Sequence, residues 1–509
     1  MSPASNPAAT RALALPHPRI ALDALAHLPH AFLLHSGLAE PRGRWSFFGA
    51  DPFATFGPER YGDAIGLWRR ERYALECPAP ESESPFTGGL VGCWSYDFGR
   101  RFEAIPSVAR DDTRWPDVWL AAYDVVGAFD HAADRAWLYS SGCPAAQEDR
   151  ARRASERLDF FTRLIESHAG PALAALPGAT ATPAMSGREA TPGTLSEISA
   201  HSTFAADAYR AAVERVREHI RCGDIFQANL SQRWTVPRRD AAVRAGGEGL
   251  EIFRALADHS PAPFAAWVDL GERAVASASP ERFLGVRGKR VETRPIKGTR
   301  PRGADPAADA VQRAALLASA KDRAENVMIV DVLRNDLGRV CETGSISVPE
   351  LCALESFAQV HHLTSTVTGT LRADRDAVDL LHACFPGGSI TGAPKIRAMQ
   401  IIEALEPVRR ALYSGAIGYL DWSGDADWNV SIRTALVTRD AVHFAAGGGI
   451  TVDSDPDAEY RETLAKAEGW RLAMAGCGRL IRLGERRDSG AGGLPRSADG
   501  VARVPDLRS

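Results

Sequence analysis

Helical and strand-like segments are mixed along this chain without the regular alternation of a βαβ protein. Apolar residues recur at helical spacing from 209 to 220 and predict an amphipathic helix, which Gly223 ends. Alternating apolar and polar residues over 225–233 predict a strand directly after it. An irregular mixture of this kind favours an α+β fold over a doubly wound sheet. Further strands are predicted at 264–268, 346–348, 367–371 and 442–445, and further helices at 307–332 and 458–474.

The length and charge of the chain exclude several classes of protein. Its 509 residues suffice for one large domain or two, and 45% hydrophobic with 24% charged residues is a globular composition. The 60 basic and 64 acidic residues give a formal net charge of -4, so the global field attracts neither nucleic acid nor a membrane surface. We find no apolar run of the roughly 18 residues that span a bilayer, and no secretory signal pattern. The eight cysteines lack a Cys-x-x-Cys pair, and we expect reduced thiols in the cytoplasm.

Two pairs of acidic residues stand three positions apart inside predicted helices: Asp322 with Glu325, and Glu459 with Glu462. This spacing places each pair on one helix face, with Cβ atoms ~5–6 Å apart. If the two faces met, four carboxylates would converge, and a divalent cation, most naturally Mg²⁺, would offset their repulsion. The alternative is two solvated helix faces, and the spacing alone favours that alternative.

Two glycine-rich segments suit close approach of an anion to the backbone. In 385–395 two glycines have the separation found in a phosphate loop, but Ala393 follows the second one where such a loop needs lysine, which argues against nucleotide binding. A turn at a helix start still suits a carboxylate, with Lys395 adding charge. The second segment is Gly447 to Gly449, although a bulge or a strand end is the commoner reason for such glycines.

Three single residues are candidates for nucleophilic or acid-base chemistry. Lys297 lies between an apolar residue and a glycine, where desolvation lowers the pKa of an amine and makes it a nucleophile or base. Spacing alone favours a solvated surface loop for it. Glu281 suits a general acid if an apolar pocket raises its pKa. His362 suits a proton carrier, but the adjacent His361 shows that one histidine here can be structural.

Together these segments resemble the chorismate-utilising enzymes, a family that includes the anthranilate, aminodeoxychorismate, isochorismate and salicylate synthases. The resemblance runs from about Ala205 to Met474 and rests on 279–283, 324–340, 387–395 and 453–462. It implies an α+β fold in which antiparallel β-sheets pack face to face with helices on the outside. A weaker resemblance covers 32–37, 45–52 and 88–92, in a portion that holds a tryptophan molecule in some members.

The resemblance and the composition divide the chain into four parts. Residues 1–165 are similar to the N-terminal portion of anthranilate synthase component I, and residues 204–482 form the chorismate-binding catalytic portion. Between them, 166–203 is expected to be a linker or surface excursion, because it is rich in Ala, Pro, Gly and Thr. Residues 483–509 are expected to be a disordered tail.

The resemblance implies a metal site that grips the ring carboxylate of chorismate. Glu325 and Glu462 are expected to hold Mg²⁺, and Asp322 and Glu459 to support its bound waters. The Lewis acidity of the metal opens carbon two of the ring to attack. Asp322 replaces the more usual glutamate, and its carboxylate reaches one methylene less far. This argues against a direct metal-ligand role for Asp322.

The resemblance also implies the catalytic and substrate-binding residues. Glu281 is expected to protonate the leaving oxygen at carbon four, and Lys297 to add at carbon two until ammonia displaces it. His362 lies near the departing pyruvate in anthranilate synthases. Thr391 and Gly392 are expected at the ring carboxylate. The enolpyruvyl carboxylate and the rest of the substrate are assigned to Tyr419, Arg433, Gly447, Gly448, Gly449, Gln227 and Lys395.

Two positions indicate the reaction. Gln227 stands where water-using members have a lysine base, so ammonia is the expected nucleophile. Lys297 stands where anthranilate synthases have alanine, and is typical of aminodeoxychorismate synthase component I, which feeds 4-aminobenzoate and folate synthesis. The chain shows no glutaminase Gly-x-Cys-x-Gly turn, so a separate glutamine amidotransferase subunit is the expected partner.

The alternatives are anthranilate synthase component I and a regulatory module that binds chorismate or tryptophan without turnover. His35 replaces a glutamate of the feedback-sensing segment, so we do not expect inhibition by tryptophan.

Overall fold

A computed structural model of the chain describes residues 9–37, 43–74, 84–174, 197–238, 240, 242–357 and 360–484. The strands in these residues are β1 (Ala9–Leu13), β2 (Phe32–His35), β3 (Trp45–Gly49), β4 (Ala54–Phe56), β5 (Gly89–Trp94), β6 (Val118–Tyr123), β7 (Val125–Asp130), β8 (Arg135–Ser140), β9 (Glu197–Ser202), β10 (Gln227–Pro237), β11 (Phe264–Asp269), β12 (Ala274–Ser279), β13 (Arg282–Arg287), β14 (Arg290–Arg294), β15 (Ile296–Pro301), β16 (Ser347–Ser356), β17 (Val360–Thr370), β18 (Gly392–Ala393), β19 (Ala416–Asp421), β20 (Ala426–Val430), β21 (Thr434–Val437), β22 (Ala441–Ile450) and β23 (Leu480–Gly484). The helices are α1 (Pro18–Leu25), α2 (Tyr61–Ala74), α3 (Arg150–Ala174), α4 (Ala206–Arg221), α5 (Ala245–His259), α6 (Pro306–Ala318), α7 (Ala320–Gly338), α8 (Ala377–Cys384), α9 (Lys395–Leu405) and α10 (Pro456–Gly476).

The described strands form two large sheets, which are antiparallel apart from the parallel pair β9 and β23. The first has 13 strands in the order β1-β8-β7-β3-β2-β11-β12-β21-β22-β10-β9-β23, with β18 beside β10. The second has 10 strands in the order β15-β17-β14-β13-β20-β19-β5-β6-β4, with β16 beside β17. Each sheet therefore takes strands from both ends of the sequence.

Alternate residues of one strand enter different apolar layers. Ala266 and Val268 of β11 pack between the two sheets with residues of β5, β6 and β19. Ala265 and Trp267 of the same strand face the opposite layer, which helices α1, α3, α5 and α10 cover. Helices α2, α7, α8 and α9 cover the outer face of the second sheet. Full burial of a side chain such as Trp267 contributes about 1.5–3 kcal/mol or more. The predicted α+β fold, with sheets packed face to face and helices outside, is confirmed.

The helix and strand predicted around Gly223 are confirmed as α4 and β10. The single helix predicted over 307–332 is wrong, because the structure has two helices, α6 and α7. Ser319 between them is extended (φ -68°, ψ 103°), and its hydroxyl accepts a hydrogen bond from the N–H of Asp322 at 3.2 Å. Serine is a preferred N-cap, so a new helix begins there.

The segment 166–203, expected to be a linker, contains regular structure at both ends. Residues 166–174 continue α3, because Phe161, Ile165 and Ala169 form a buried stripe at four-residue spacing. Residues 197–202 form β9, and 175–196 lie outside the described residues. Of the tail expected from 483, residues 483 and 484 close β23, and the rest lies outside the described part.

The two main parts expected from the sequence share both sheets. Strand β2 pairs with β11, and β5 pairs with β19. None of the helices in the described part of the chain combines the length and hydrophobicity needed to cross a bilayer.

Candidate active site

The candidate site lies where α7 packs on β15 and α10 packs on β22. Two glycines of β22 make room for carboxylates from both helices. A Cβ atom at Gly448 would stand 2.8 Å from Oε2 of Glu459 and 3.5 Å from Oε1 of Glu462. A Cβ atom at Gly449 would stand 3.4 Å from Oε2 of Glu325. The structure therefore brings three of the four acidic residues together over these glycines.

Two lysines offset part of the negative charge of the three carboxylates. Nζ of Lys321 lies 3.9 Å from Oε1 of Glu325 and 3.7 Å from Oε1 of Glu459. Nζ of Lys466 lies 2.6 Å from Oε1 of Glu462. Burial raises the pKa of Glu325 and of Glu459. Burial acts on Glu462 as well, but the charge and hydrogen bond of Lys466 outweigh it and lower the pKa of that carboxyl. Each of the three carboxylates therefore has a lysine ammonium within 3.9 Å.

Asp322 does not join this cluster, which corrects its predicted placement. Nη2 of Arg300 donates to Oδ2 of Asp322 at 3.0 Å. The side chain also packs against Gly298, where a Cβ atom would stand 3.0 Å from the Asp322 carboxyl carbon. The short aspartate is held by an arginine of β15, and its charge reaches Glu325 only as a contribution to the raised pKa there.

The carboxylates fit Mg²⁺ only in combination with an anionic ligand. Within the described residues, no three His, Cys, Asp or Glu side chains are arranged as a ready-made metal site. Mg²⁺ keeps several waters and is usually held by one or two carboxylates together with an anionic substrate. Glu325 and Glu462, which approach neighbouring glycines, supply two such hard oxygen donors.

Lys297 stands at a bulge in β15, beside the carboxylate cluster. The pairing with β17 shifts between Ile296 and Thr299, and Gly298 has φ +82°, a conformation that favours glycine. The side chain is half-buried, and Nζ makes no hydrogen bond or ion pair with the described residues. Burial lowers the pKa of Lys297, although the negative charge of Glu325 opposes this. The result is an amine that lies near carboxylates and has no hydrogen-bond partner in the part of the chain that the structure describes.

Glu281 is buried in the turn between β12 and β13, with 4% of its surface exposed. Burial raises its pKa to about 7, although a hydrogen bond with Ser389, the charge of Lys297 and the backbone of Ile296 oppose this. A carboxyl with such a pKa holds a proton in about half of the molecules at neutral pH. Glu281 is therefore suited to donate a proton.

Gln227 is the first residue of β10, and its carboxamide packs against Gly449. A Cβ atom at Gly449 would stand 2.0 Å from Nε2 of Gln227, so a larger residue at this position would displace the Gln227 carboxamide. Oε1 of Gln227 is buried and has no hydrogen-bond partner among the described residues. A buried acceptor without a partner suits a small ligand that brings its own N–H.

The glycine segment 385–395 is closed by internal hydrogen bonds. The buried Thr391 hydroxyl donates to the carbonyl of Gly387 at 2.9 Å. Gly392 has φ +152°, and a Cβ atom there would stand 2.1 Å from the carbonyl oxygen of Gln227. The loop is thereby fixed directly beside Gln227.

Lys395 is a structural residue, which corrects its predicted role in substrate binding. Its ammonium donates to Oδ2 of Asp336 at 2.5 Å and to the carbonyl of Cys384 at 2.7 Å. Both partners belong to helices behind the loop, and little of the Lys395 side chain is exposed. The charge is therefore neutralised within the fold and anchors α9 to α7.

The backbone of Gly447 and Gly449 faces an open sheet edge. The facing residues Ser231 and Asn229 donate their N–H groups away from β22, to Glu406 and Thr391. In an antiparallel ladder, opposite residues direct their N–H groups alike, so those of Gly447 and Gly449 also point away from β10. On that side β21 pairs with β22 only from Val442 to Phe444. These N–H groups are thus placed to bind an anion.

Arg433 and His362 lie close to this edge. Arg433 immediately precedes β21, has φ +51°, is exposed, and makes no side-chain hydrogen bond or ion pair with the described residues. His362 is buried, and Nδ1 lies 2.9 Å from the hydroxyl oxygen of Thr299. Burial, with the nearby charge of Arg433, lowers the pKa of His362 to about 3. A neutral His362 supplies hydrogen bonds here and carries no charge at neutral pH.

Tyr419 lies in a different cavity, which corrects its predicted place beside Arg433. Its ring stacks on Phe86 with centroids 4.3 Å apart, and its hydroxyl accepts a hydrogen bond from Arg287 at 3.0 Å. Tyr419 and Arg287 line a cavity of about 370 Å³ between the two sheets, which Trp45 and His35 also line. Alternation along β19 sends Ile417 and Tyr419 to this side of the strand.

Tyr413 is the tyrosine near the open edge, and sequence reasoning missed it. The centroid of its ring lies 5.9 Å from the guanidinium carbon of Arg410, which donates to the carbonyl of Asn229, and Asn229 faces Gly449 across the ladder. The next residue, Ser414, donates its N–H to the carbonyl of Ser431 at 2.8 Å. The alternating apolar pattern of β19 is the signal that would have excluded Tyr419. The balancing lysines at 321 and 466 carried no signal of their own, because surface lysines are common on helices.

Comparisons with known proteins show the family to which the chain is similar. The family model of chorismate binding enzymes matches residues 44–470. The chain is 40% identical to aminodeoxychorismate synthase component 1 of Klebsiella aerogenes, over 87% of this chain and 93% of that protein. It is 38% identical to anthranilate synthase component 1 of Thermus thermophilus, over 88% and 92% of the two chains. The crystal structure of anthranilate synthase component I from Streptococcus pneumoniae superposes with a TM-score of 0.68 at 29% identity, over 85% of this chain and 93% of that one.

Proposed function

Because this chain belongs to the family of chorismate binding enzymes, we propose that it acts as an aminodeoxychorismate synthase component 1. The reaction converts chorismate and ammonia to 4-amino-4-deoxychorismate, a precursor of 4-aminobenzoate and folate, in the cytoplasm. The observation that carries the proposal is the half-buried amine of Lys297. It has no partner among the described residues and lies between Glu281 and Glu325, which both influence its pKa.

Lys297 is the proposed nucleophile and Glu281 the proposed general acid. The neutral amine adds to carbon two of the chorismate ring, the double bonds shift, and the hydroxyl on carbon four leaves as water with the proton of Glu281. The secondary ammonium formed on Lys297 returns a proton to the Glu281 carboxylate. Ammonia then attacks carbon four while Glu281 protonates the Lys297 nitrogen, which leaves carbon two as a neutral amine, and the new ammonium on carbon four loses its extra proton to the Glu281 carboxylate. The nitrogen ends on the carbon that lost its oxygen.

The carboxylate cluster is the proposed place for Mg²⁺. Glu325 and Glu462 would hold it, and when bound with the ring carboxylate it supplies Lewis acidity that draws electrons from the ring. The hydroxyl of Ser454 donates to Oε1 of Glu459 at 2.6 Å and fixes that carboxylate beside the pair. Lys321 and Lys466 offset part of the negative charge of the cluster until the metal binds.

The two carboxylates of chorismate have separate partners in this proposal. The backbone at Thr391 and Gly392 receives the ring carboxylate beside the metal. Arg433, which makes no ion pair in the described structure, and the N–H groups of Gly447 and Gly449 receive the enolpyruvyl carboxylate. A neutral His362 forms a hydrogen bond with the Thr299 hydroxyl and donates no proton to the substrate.

Gln227 is the proposed contact for ammonia. Its buried carbonyl oxygen accepts a hydrogen bond from the incoming N–H and cannot take a proton from water. We expect the ammonia to come from a glutamine amidotransferase subunit, in keeping with the name component 1 of the relatives. Ammonium salt should replace that subunit in vitro.

Anthranilate synthase component I is the second candidate, because anthranilate synthases are also among the relatives. In that reaction ammonia itself adds at carbon two, and pyruvate is lost. Lys297 disfavours this route, because its amine lies where ammonia would have to attack. Purified protein incubated with chorismate, Mg²⁺ and ammonium salt distinguishes the two: fluorescent anthranilate as the main product would reject our assignment.

We do not expect tryptophan to inhibit the enzyme, although the cavity between the sheets has room for a molecule of that size. Burial, with the charges of His17 and Arg19, holds the pKa of His35 well below its usual value. A neutral His35 in the cavity wall offers no negative charge to an ammonium group. Turnover should therefore be unchanged by millimolar tryptophan, and inhibition at that concentration would contradict this part of the proposal.

A further inference from the structure

Glu406 and Arg410 form a buried ion pair behind the candidate site. Arg410 lies between α9 and β19 and is 5% exposed, and Glu406 is 6% exposed. Nε and Nη2 of Arg410 donate to the two carboxylate oxygens of Glu406 at 2.8 and 2.7 Å. This is the two-pronged geometry in which arginine binds a carboxylate most strongly.

The remaining hydrogen bonds of the pair reach two other segments. Nη1 of Arg410 donates to the carbonyl of Ile390 at 2.9 Å, and Nη2 donates to the carbonyl of Asn229. Oε1 of Glu406 accepts both the N–H and the hydroxyl of Ser231, each at 2.8 Å. One ion pair therefore ties the loop at 390 to strand β10.

These contacts lie one residue away from groups that the proposed reaction uses. Ile390 precedes Thr391, whose carbonyl accepts the N–H of Asn229 at 2.8 Å. Asn229 stands opposite Gly449 across the β10–β22 ladder. The Tyr413 ring also lies against Arg410, with the guanidinium carbon 5.9 Å from the ring centroid. The pair thus determines the separation between the loop and the glycine strand.

Stability alone does not account for such a pair. Desolvation of two buried charges costs about as much as their attraction returns, and apolar residues of similar volume often replace them without loss. A guanidinium can hold a carboxylate and two carbonyls at once in a fixed plane, which neither lysine nor an apolar residue can do. We infer that Arg410, with Glu406, is a positioning residue that sets the spacing of the two carboxylate-binding elements for chorismate. The inference relies on the proposed function for the identity of the ligand.

The test removes both charges together. A single change would leave one buried charge unpaired and could prevent folding. The double variant Glu406→Gln with Arg410→Met keeps the volume and leaves no unpaired charge. We expect it to fold, with the same kcat profile against pH as the wild type, because Glu281 is untouched. The KM and the dissociation constant for chorismate should rise at least about tenfold, as for other residues that orient a binding group.

A matched control removes a buried arginine far from the site. Nη1 of Arg479 donates to Glu248 at 2.6 Å, near the far end of β10, and Arg238 remains to pair with Glu248. Arg479→Met should lower the melting temperature and leave the KM for chorismate unchanged. Arg410→Lys keeps the charge but lacks the two-pronged guanidinium. This variant should fold and still show a raised KM for chorismate.

The outcomes separate the two proposals. If the double variant folds and binds chorismate as tightly as the wild type, the positioning role is overturned. If the wild type binds chorismate but makes another product, the proposed reaction fails, while the comparison of dissociation constants still decides the role of Arg410. If the control raises KM as much as the double variant, the effect belongs to general stability, and the inference is overturned.

Discussion

Replacing Glu281 by glutamine tests the effect of burial on the proposed acid. The carboxyl is 4% exposed, and burial raises its pKa from 4.5 to about 7. Between these values the folded protein holds a proton that the unfolded chain has lost, so stability falls as pH rises through this window. At ~1.4 kcal/mol per pH unit, the charged carboxylate costs the folded state about 3 kcal/mol above pH 8. Glutamine keeps the shape and never carries the charge.

Denaturant unfolding of wild type and Glu281→Gln, from about pH 4 to about pH 8, measures this cost. The free energy of unfolding of the variant should gain about 3 kcal/mol relative to the wild type across that range. Glu272→Gln, an exposed change in the turn between β11 and β12, is the matched control and should follow the wild type. Parallel pH curves for wild type and Glu281→Gln would refute the reasoning, because the carboxyl would then be solvated.

The same proton should govern turnover: kcat/KM for chorismate falls as the pH rises through about 7, because Glu281 acts only when protonated, and a flat profile contradicts this. Glu462→Gln should raise the Mg²⁺ concentration that gives the half-maximal rate at least about tenfold. Asp322→Asn, which breaks the ion pair with Arg300, should leave that concentration nearly unchanged. Titration of the rate with Mg²⁺ measures both, and equal effects of the two changes would contradict the placement of the metal. Tyr413→Phe should raise the KM for chorismate about fivefold, because it removes one hydroxyl hydrogen bond to the substrate near the open edge of β22. Tyr419→Phe, in the cavity between the sheets, should leave the KM unchanged. Equal effects of the two changes in steady-state kinetics would contradict the placement of Tyr413 rather than Tyr419 at the site.

Local patterns predicted local structure. The helical spacing over 209–220 and the alternation after it give α4 and β10 because each is decided by neighbouring residues. The order of strands in the sheets does not follow from such patterns. Strand β2 pairs with β11, whose residues stand about 230 positions later in the chain, and the sequence carries no signal of that partner.

The site residues also divide into those that the sequence predicted and those whose place depends on distant partners. Glu325, Glu459 and Glu462 were predicted from spacing and resemblance, and the structure brings them together over Gly448 and Gly449. Lys395 and Asp322 were misplaced because their orientation depends on partners that the local sequence does not contain. Lys395 forms an ion pair with Asp336, and Asp322 forms one with Arg300.

The central claim is that the amine of Lys297 bonds to the ring before ammonia arrives. Wild-type protein and Lys297→Ala can be incubated with chorismate and Mg²⁺ without an ammonia source, quenched in acid, and analysed by intact-protein and peptide mass spectrometry. Wild type should carry a mass equal to chorismate less one water on the peptide containing Lys297, and the alanine variant should carry none. A wild-type protein that turns over chorismate with ammonia but never shows this adduct, or a Lys297→Ala variant with an undiminished rate, would contradict the account.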